Sequence, residues 1–423
     1  MNPIKYNIDQ KMPLKALLVY GLEWFLIIIP TLIILAILVG GIHYDTTAQK
    51  IFYAQKLFAL AGIALLAQVF WGHRLPIVIG PAAVLLIGIL TANHQGIDAI
   101  YTAIILGGAL LTILSYTNLL YKFTKLFTHR IITVILALIA LTLTPTIIQL
   151  VFGNQINPLH LFILSIALFT AMVILNKVFR GIWKSTTVLW GLLVGSIVYR
   201  ICFPGQPSMQ MVSYSQIPWQ EMFIPGFKLN IGVLFAFFFC YIALFINEIG
   251  SIQAVEQALE ADNPDKRTKD GLRMTGLSNI LCGLFGTIGF VDFSISPGII
   301  MNTGCASRYT LIPAALGLIV CAIFPNLIVM ICDIPLPVMG IVLLFIMVSQ
   351  LASSFKMMTL PNVVRDFTDC TTIALPLMLA LFISFLPQNV INEIPEVLRP
   401  IVSNGFVVGV VGVLAMEHLI NRK

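Results

Sequence analysis

The 423-residue chain is 59% hydrophobic and only 10% charged, with a mean hydropathy of +0.98. A soluble domain carries roughly 25% charged residues, so most of this surface is built for lipid rather than water. The net charge of +6 comes from basic residues that punctuate apolar runs, which argues against a nucleic-acid binder. Seven cysteines (Cys202, Cys240, Cys282, Cys305, Cys321, Cys332 and Cys370) show no paired spacing and fall mostly inside apolar segments, as small packing residues do.

In chain order, Lys5, Lys11 and Lys15 precede an apolar run over residues 16–41. That run is too long for a signal-peptide core and lacks a small-residue cleavage site, so it reads as a first transmembrane helix. Further long runs begin near Ile51, Ile100, Ile131, Leu159, Thr187, Ile231, Leu311, Val338, Thr372 and Ile401. Shorter apolar stretches cover residues 75–90, 272–289 and 290–304. Counting each stretch once predicts fourteen membrane elements, with longer links at 204–230 and 256–273. If both termini are cytoplasmic, nineteen of the 24 Lys and Arg fall inside, leaving Lys50, Lys56, Arg200, Lys228 and Arg399 outside. That asymmetry fits a multi-pass protein of the inner (plasma) membrane with both ends in the cytoplasm.

The third and tenth elements resemble one another. Leu75-Pro-Ile-Val-Ile-Gly-Pro81 and Val291-Asp-Phe-Ser-Ile-Ser-Pro297 each end on a proline, with a glycine seven residues later (Gly88, Gly304). Proline suits the first helical turn and biases the preceding residue towards extended structure. Each element therefore predicts a short strand followed by a half-helix that starts within the membrane. Seven elements per half put the two copies in opposite orientations. Matching broken segments in two halves point to a transport site, because half-helix N-termini leave backbone N–H groups free there. The plainer alternative is two proline-kinked helices.

Ionisable residues within the apolar runs are few. In the eighth element Asn247, Gly250, Ser251 and Ala254 share one helical face, with Glu248 about 100° away. Three placements stay open for Glu248: the same cavity, an interhelical pair, or the cytoplasmic interface. Asp292, Ser294 and Ser296 alternate along the tenth element and would share one strand face, although Asp292 at a solvated outer mouth is the equal alternative. Glu23 either lines the core or bonds a neighbouring helix. The six histidines (His43, His73, His94, His129, His160 and His418) sit near run edges and form no metal-ligand cluster. No nucleophile–base pair and no phosphate loop occur, so neither an enzyme nor a metal or cofactor is expected.

Four motifs carry a resemblance: Glu248-Ile-Gly250, Gly276-Leu-Ser-Asn-Ile-Leu-Cys-Gly-Leu-Phe-Gly286, Gly298 with Thr303-Gly-Cys-Ala-Ser-Arg308, and Ile334-Pro-Leu-Pro-Val-Met-Gly340. In order and spacing they resemble the nucleobase–cation symporters, also called nucleobase–ascorbate transporters, which include uracil and xanthine permeases. Weaker echoes occur at Gly21-Leu-Glu-Trp24, Leu75-Pro-Ile-Val-Ile-Gly80 and Pro225-Gly-Phe227. The resemblance implies an all-α polytopic fold of fourteen segments in two inverted seven-segment repeats. It also implies a core domain (residues 1–125 and 230–333), a gate domain (126–229 and 334–423), and often a homodimer.

The family's base-binding carboxylate of the eighth helix falls on Asn247 here, with the acid displaced to Glu248. The Gln or Glu followed by Asn that opens the tenth half-helix falls on Ile295 and Ser296. The stacking aromatic of the third half-helix falls on Ala83, and the Asp of the ninth helix on Thr275. The expected substrate site is therefore Asn247, Glu248 and Ser251 with Gly80, Pro81, Ala82, Ala83, Ile295, Ser296, Pro297 and Gly298. In it Asn247 would pair with the base edge, and Glu248 is the candidate proton carrier. The expected activity is proton-coupled uptake of uracil or a xanthine-like purine. The alternative is a small-anion transporter on the same architecture, and a non-transporting scaffold is a third class.

Overall fold

The computed structural model describes residues 4–117, 128–153, 157–179, 182–204, 217–360, 363–395 and 398–420. Lys122, Lys125, Arg180, Arg422, Lys423 and residues 205–216 of the long link therefore lie outside the described residues. Helix α1 (Leu14–His43) and α2 (Thr47–Phe70) form the first hairpin, with the Thr46 hydroxyl capping α2 by accepting the Gln49 N–H. Strand β1 (Ile79–Pro81) leads into the short α3 (Ala83–Ala92), and α4 (Ile97–Tyr116) follows. Then come α5 (His129–Thr142), α6 (Thr144–Phe152), α7 (Pro158–Val178) and α8 (Thr187–Cys202).

The second half repeats the plan. Helices α9 (Ile231–Leu259) and α10 (Pro264–Leu284) precede strand β2 (Phe290–Asp292) and the half-helix α11 (Ser296–Thr303). Helices α12 (Leu311–Ile323), α13 (Pro325–Cys332), α14 (Leu336–Met358), α15 (Phe367–Ser384) and α16 (Gly405–Ala415) complete it.

Among the described residues eight helical stretches are long and apolar enough to cross a membrane, or nine if a bent pair counts as one span. The expected fourteen crossings are not all of this kind, for physical reasons. The third and tenth elements are half-helices, the ninth opens on the charged turn Pro264-Asp-Lys-Arg267, and α8 and α16 are short. The run from Leu311 is broken at Pro325, where the two helices meet at 103°. Phe324 is extended there (φ −103°, ψ 102°), because proline has no N–H to donate and disfavours α geometry in the residue before it.

Helices approach closely where glycine replaces a side chain, the packing that works without a hydrophobic driving force. A Cβ added to Gly108 of α4 would lie 2.7 Å from the Gly276 carbonyl of α10, and one on Gly62 of α2 would lie 2.7 Å from the Ala315 carbonyl of α12. One packing group thus joins α1, α2, α4, α9, α10 and α12; a second joins α14 to α5 and α6, and α15 to α16. Arg130 closes the second group, pairing Asp369 at 2.8 Å and Glu417 at 2.7 Å. At the chain's start, residues 5–8 lie along 304–308: Lys5 N–H donates to Gly304 O (2.7 Å) and Ala306 N–H to Tyr6 O (2.9 Å).

The two broken segments cross in mid-molecule as an antiparallel two-stranded sheet, with Gly80 opposite Val291. So small a sheet leaves backbone groups to be satisfied by neighbours, since lipid offers none. The Asn279 amide donates to Phe290 O (2.9 Å) and Thr275 O (2.7 Å), and Ser296 Oγ accepts the Val78 N–H (3.1 Å). The far end of the Phe293 ring lies against Gly80, where a Cβ would approach Cζ to 2.4 Å.

The strand-plus-half-helix expectation describes both elements, but the proline alignment is out of register. Pro81 belongs to β1, paired with Phe290, while Pro297 is the second residue of α11. Pro81 is tolerated in the strand because proline's missing N–H matters least at a sheet edge. The matching glycines also differ. Gly304 ends α11 in the left-handed region (φ 69°), whereas Gly88 lies inside α3 against the Phe237 ring.

Candidate functional site

A cavity of about 240 Å³ opens beside the crossing. Its near wall is the pair of broken segments: Pro81, Ala82, Ala83 and Val84 on one side, Val291, Phe293, Ser294 and Ile295 on the other. Helix α9 adds Ala243, Leu244 and Asn247, and α1 adds Ile27, Pro30, Thr31, Ile34 and Leu35. The far wall is α14, with Leu343, Ile346, Met347, Ser349 and Gln350. Among the described residues the lining is apolar except for Thr31, Asn247, Ser294, Ser349 and Gln350, and includes no ionisable side chain.

The sequence-based site divides. Asn247, Pro81, Ala82, Ala83 and Ile295 line the cavity; Glu248, Ser251, Gly80, Ser296, Pro297 and Gly298 do not. Each exception among the buried residues has a local cause. Gly80 is covered by Phe293. The Ser296 hydroxyl is engaged within the crossing, donating to Phe293 O (2.8 Å) while accepting from Val78 N. Ser251 Oγ donates to Asp292 O (3.0 Å), and the Asn247 amide reaches the same oxygen at a longer 3.4 Å.

Glu248 is fully buried behind the sheet and faces away from the cavity. Its carboxylate accepts the Thr275 hydroxyl and the Asp292 N–H (2.8 Å). Gln68 of α2 donates to Thr275 Oγ1 at 2.8 Å, so the acid sits in a chain of bonds from α2 through α10 to β2. Of the three placements left open by the helical wheel, Glu248 takes the interhelical one.

Asp292 corrects a second expectation. It shares no face with Ser294 and Ser296, because β2 ends at Asp292 and a turn follows. Nor does it sit at a solvated mouth. Strand alternation sends Val291 and Phe293 towards the cavity and Asp292 the other way, where it is fully buried with Oδ2 3.3 Å from His73 Nε2. The sequence sets His73 near the edge of an apolar run, yet it too is fully buried. Its Nδ1 accepts the Leu75 N–H (2.9 Å), which leaves the proton of the neutral ring on Nε2, facing Asp292.

Sequence reasoning also missed Thr31, Ser349 and Gln350. The one available signal was the polar pair Ser349-Gln350 within the apolar run that begins near Val338. Glu23, left between two readings, is buried with Oε1 unpartnered, while its neighbour Trp24 donates to Thr310 Oγ1 (3.0 Å).

The comparisons with known proteins agree with this architecture. The family model described as "Permease family", that of the xanthine and uracil permeases, matches residues 15–389. The uric acid permease PucJ of Bacillus subtilis is 25% identical, over 89% of this chain and 86% of its own. The xanthine permease of Bacillus subtilis is 21% identical, over 92% of this chain and 90% of its own. In fold, the chain resembles the transmembrane domain of the cyanobacterium bicarbonate transporter BicA, with a TM-score of 0.63 at 13% identity over 89% of this chain and 98% of that one. Broken segments crossing beside a cavity, helices sized for a bilayer and a family match over most of the chain lead to one assignment: the chain belongs to the xanthine/uracil permease family, within the nucleobase–ascorbate transporters, and is a multi-pass membrane transporter rather than an enzyme.

Proposed function

We propose that this permease carries a neutral nucleobase, uracil or a xanthine-like purine, in symport with protons across the plasma membrane. The observation that carries the reading is the cavity beside the crossing, whose described lining is apolar and uncharged but holds two amides, Asn247 of α9 and Gln350 of α14. A primary amide offers a donor and an acceptor side by side, which suits the alternating N–H and C=O edge of an oxo-base. Small apolar groups such as Ala83 leave room for the ring. The relatives' names, uric acid and xanthine permease, point to the same substrate class.

The reading includes fourteen segments in two inverted repeats and cytoplasmic termini. Residues 1–125 with 230–333 form a core that moves against a gate of 126–229 with 334–423, in a homodimer. Its support is the antiparallel crossing, the two packing groups and the basic-residue asymmetry. A small anion is the second reading; the half-helix N-termini favour it, but no basic side chain lines the cavity.

Thermal unfolding of the purified protein with a panel of ligands separates the two. A base present at 100 times its Kd should raise the unfolding free energy by about 2.7 kcal/mol; Gln350→Ala, which loses about one hydrogen bond, should weaken binding about tenfold and cut that gain to about 1.4 kcal/mol at the same concentration. Stabilisation by bicarbonate or sulfate, with none by any base, would reject the nucleobase reading.

A further inference from the structure

We propose that protons couple to transport at a site behind the substrate cavity, formed by His73, Asp292 and Glu248, with the coupling proton carried by the Asp292 carboxylate that faces His73 Nε2. The proposal rests on the nucleobase-symport reading and names the group that reading leaves open, because the cavity itself contains nothing to titrate. All three side chains are fully buried, and both Asp292 oxygens and His73 Nε2 lack any hydrogen bond of good geometry. Ionisable groups are costly inside a membrane protein and mark ion pathways there. Metal binding is the competing explanation for such a trio, yet among the described residues no three His, Cys, Asp or Glu side chains converge to hold an ion.

The surroundings supply an entry and a readout. A polar cavity of about 160 Å³ is lined by Gly72 and Arg74, the residues flanking His73, and by Arg267 and Arg308. The charged groups facing His73 are Asp292 from β2, Glu248 from α9, Arg267 from α10 and Arg308 from the turn before α12. Arg267 Nη1 donates to the His73 carbonyl (3.0 Å), and Arg308 holds the Val69 carbonyl. Gln68 Oε1 accepts the backbone N–H of His73 (3.3 Å), which fixes the chain between the two neighbours that line the polar cavity.

On the other side, Asp292 is separated from the substrate cavity by the thickness of one strand. Its carbonyl is held by Asn247, which lines that cavity, and by Ser251. With the ring proton already on Nε2 and Nδ1 accepting the Leu75 N–H, an arriving proton settles on the Asp292 carboxylate. Its departure leaves a neutral ring against a buried, unpaired carboxylate. Glu248 is the fixed acceptor of the trio, with two donors already on its oxygens. A base that recruits the Asn247 amide loosens its 3.4 Å bond to Asp292 O, and β2 is then the element whose position both ligands bias. Such linkage is reciprocal.

The test compares wild type, His73→Gln, Asp292→Asn and the double variant in proteoliposomes. The double variant removes both titratable groups together and so keeps the fold even if one unpaired buried group does not. Accumulation driven by an inward proton gradient, relative to counterflow exchange of the same base, should fall about tenfold in each variant. Wild-type ratios in His73→Gln and Asp292→Asn overturn the proposal. A second measurement needs no substrate: the acid-minus-alkaline infrared difference spectrum should lose carboxyl and imidazole bands in the double variant. An unchanged spectrum overturns the proposal whatever is transported. Band loss without flux of any base upholds the proton site and rejects the nucleobase reading instead.

Discussion

The third and tenth elements build the same backbone object, a three-residue strand followed by a half-helix, from opposite materials. In the third, Leu75, Ile77, Val78, Ile79, Ala82 and Leu85 are all fully buried, and the segment is held by packing. In the tenth, Asp292 and Ser296 are fully buried polar residues, and side-chain hydrogen bonds from Asn279, Asn247 and Ser251 fix the strand. One half of the crossing is an apolar wall, and the other carries the polar chemistry. A repeated fold thus keeps its geometry while dividing labour between its copies.

That division can be tested by removing what holds each copy. The largest effect is expected from Asn279→Leu. It deletes the bonds to Phe290 O and Thr275 O together with the acceptor for the Tyr241 hydroxyl (3.1 Å), and should cost about 3 kcal/mol in thermal unfolding. Next is the pair Gly80→Ala and Gly298→Ala. The first drives a methyl into the Phe293 ring and should cost about 1–3 kcal/mol. The second meets open space and should stay within about 0.5 kcal/mol. Equal costs at both positions would remove the packing half of the comparison. A loss below that of Gly80→Ala is expected from Gly304→Ala, about 1 kcal/mol for a left-handed helix end. No loss there would mean that α11 ends by another device.

What was legible in the sequence was whatever local chemistry dictates. Pro81 and Pro297 disclosed two broken segments, although only Pro81 follows extended backbone; Ile295 and Ser296 before Pro297 already turn into the half-helix. The register was not legible. Aligning the prolines as equivalent positions of the two copies sets Pro81 beside Pro297, whereas Pro81 closes its strand and Pro297 lies in the first turn of its half-helix. Pairing is decided by partners across the sheet. The same limit applies to His73, which closes an apolar run in the sequence and looks like an edge residue. It is buried by Asp292, 219 positions away. For Glu248 the helical wheel correctly separated it from Asn247 but could not say which of the two faces looked into the cavity.

The crossing also sets an order of assembly. Strand β1 emerges from the ribosome about 210 residues before its partner β2, which at ordinary synthesis rates is a delay on the order of 10–40 s. The first residues of the chain wait longer still for 304–308. During that interval the third element has a strand edge without its final hydrogen-bond partners, in a solvent that supplies none. The first half of this protein must therefore be sheltered, by the insertion machinery or by staying near the interface, until the second half arrives to close it.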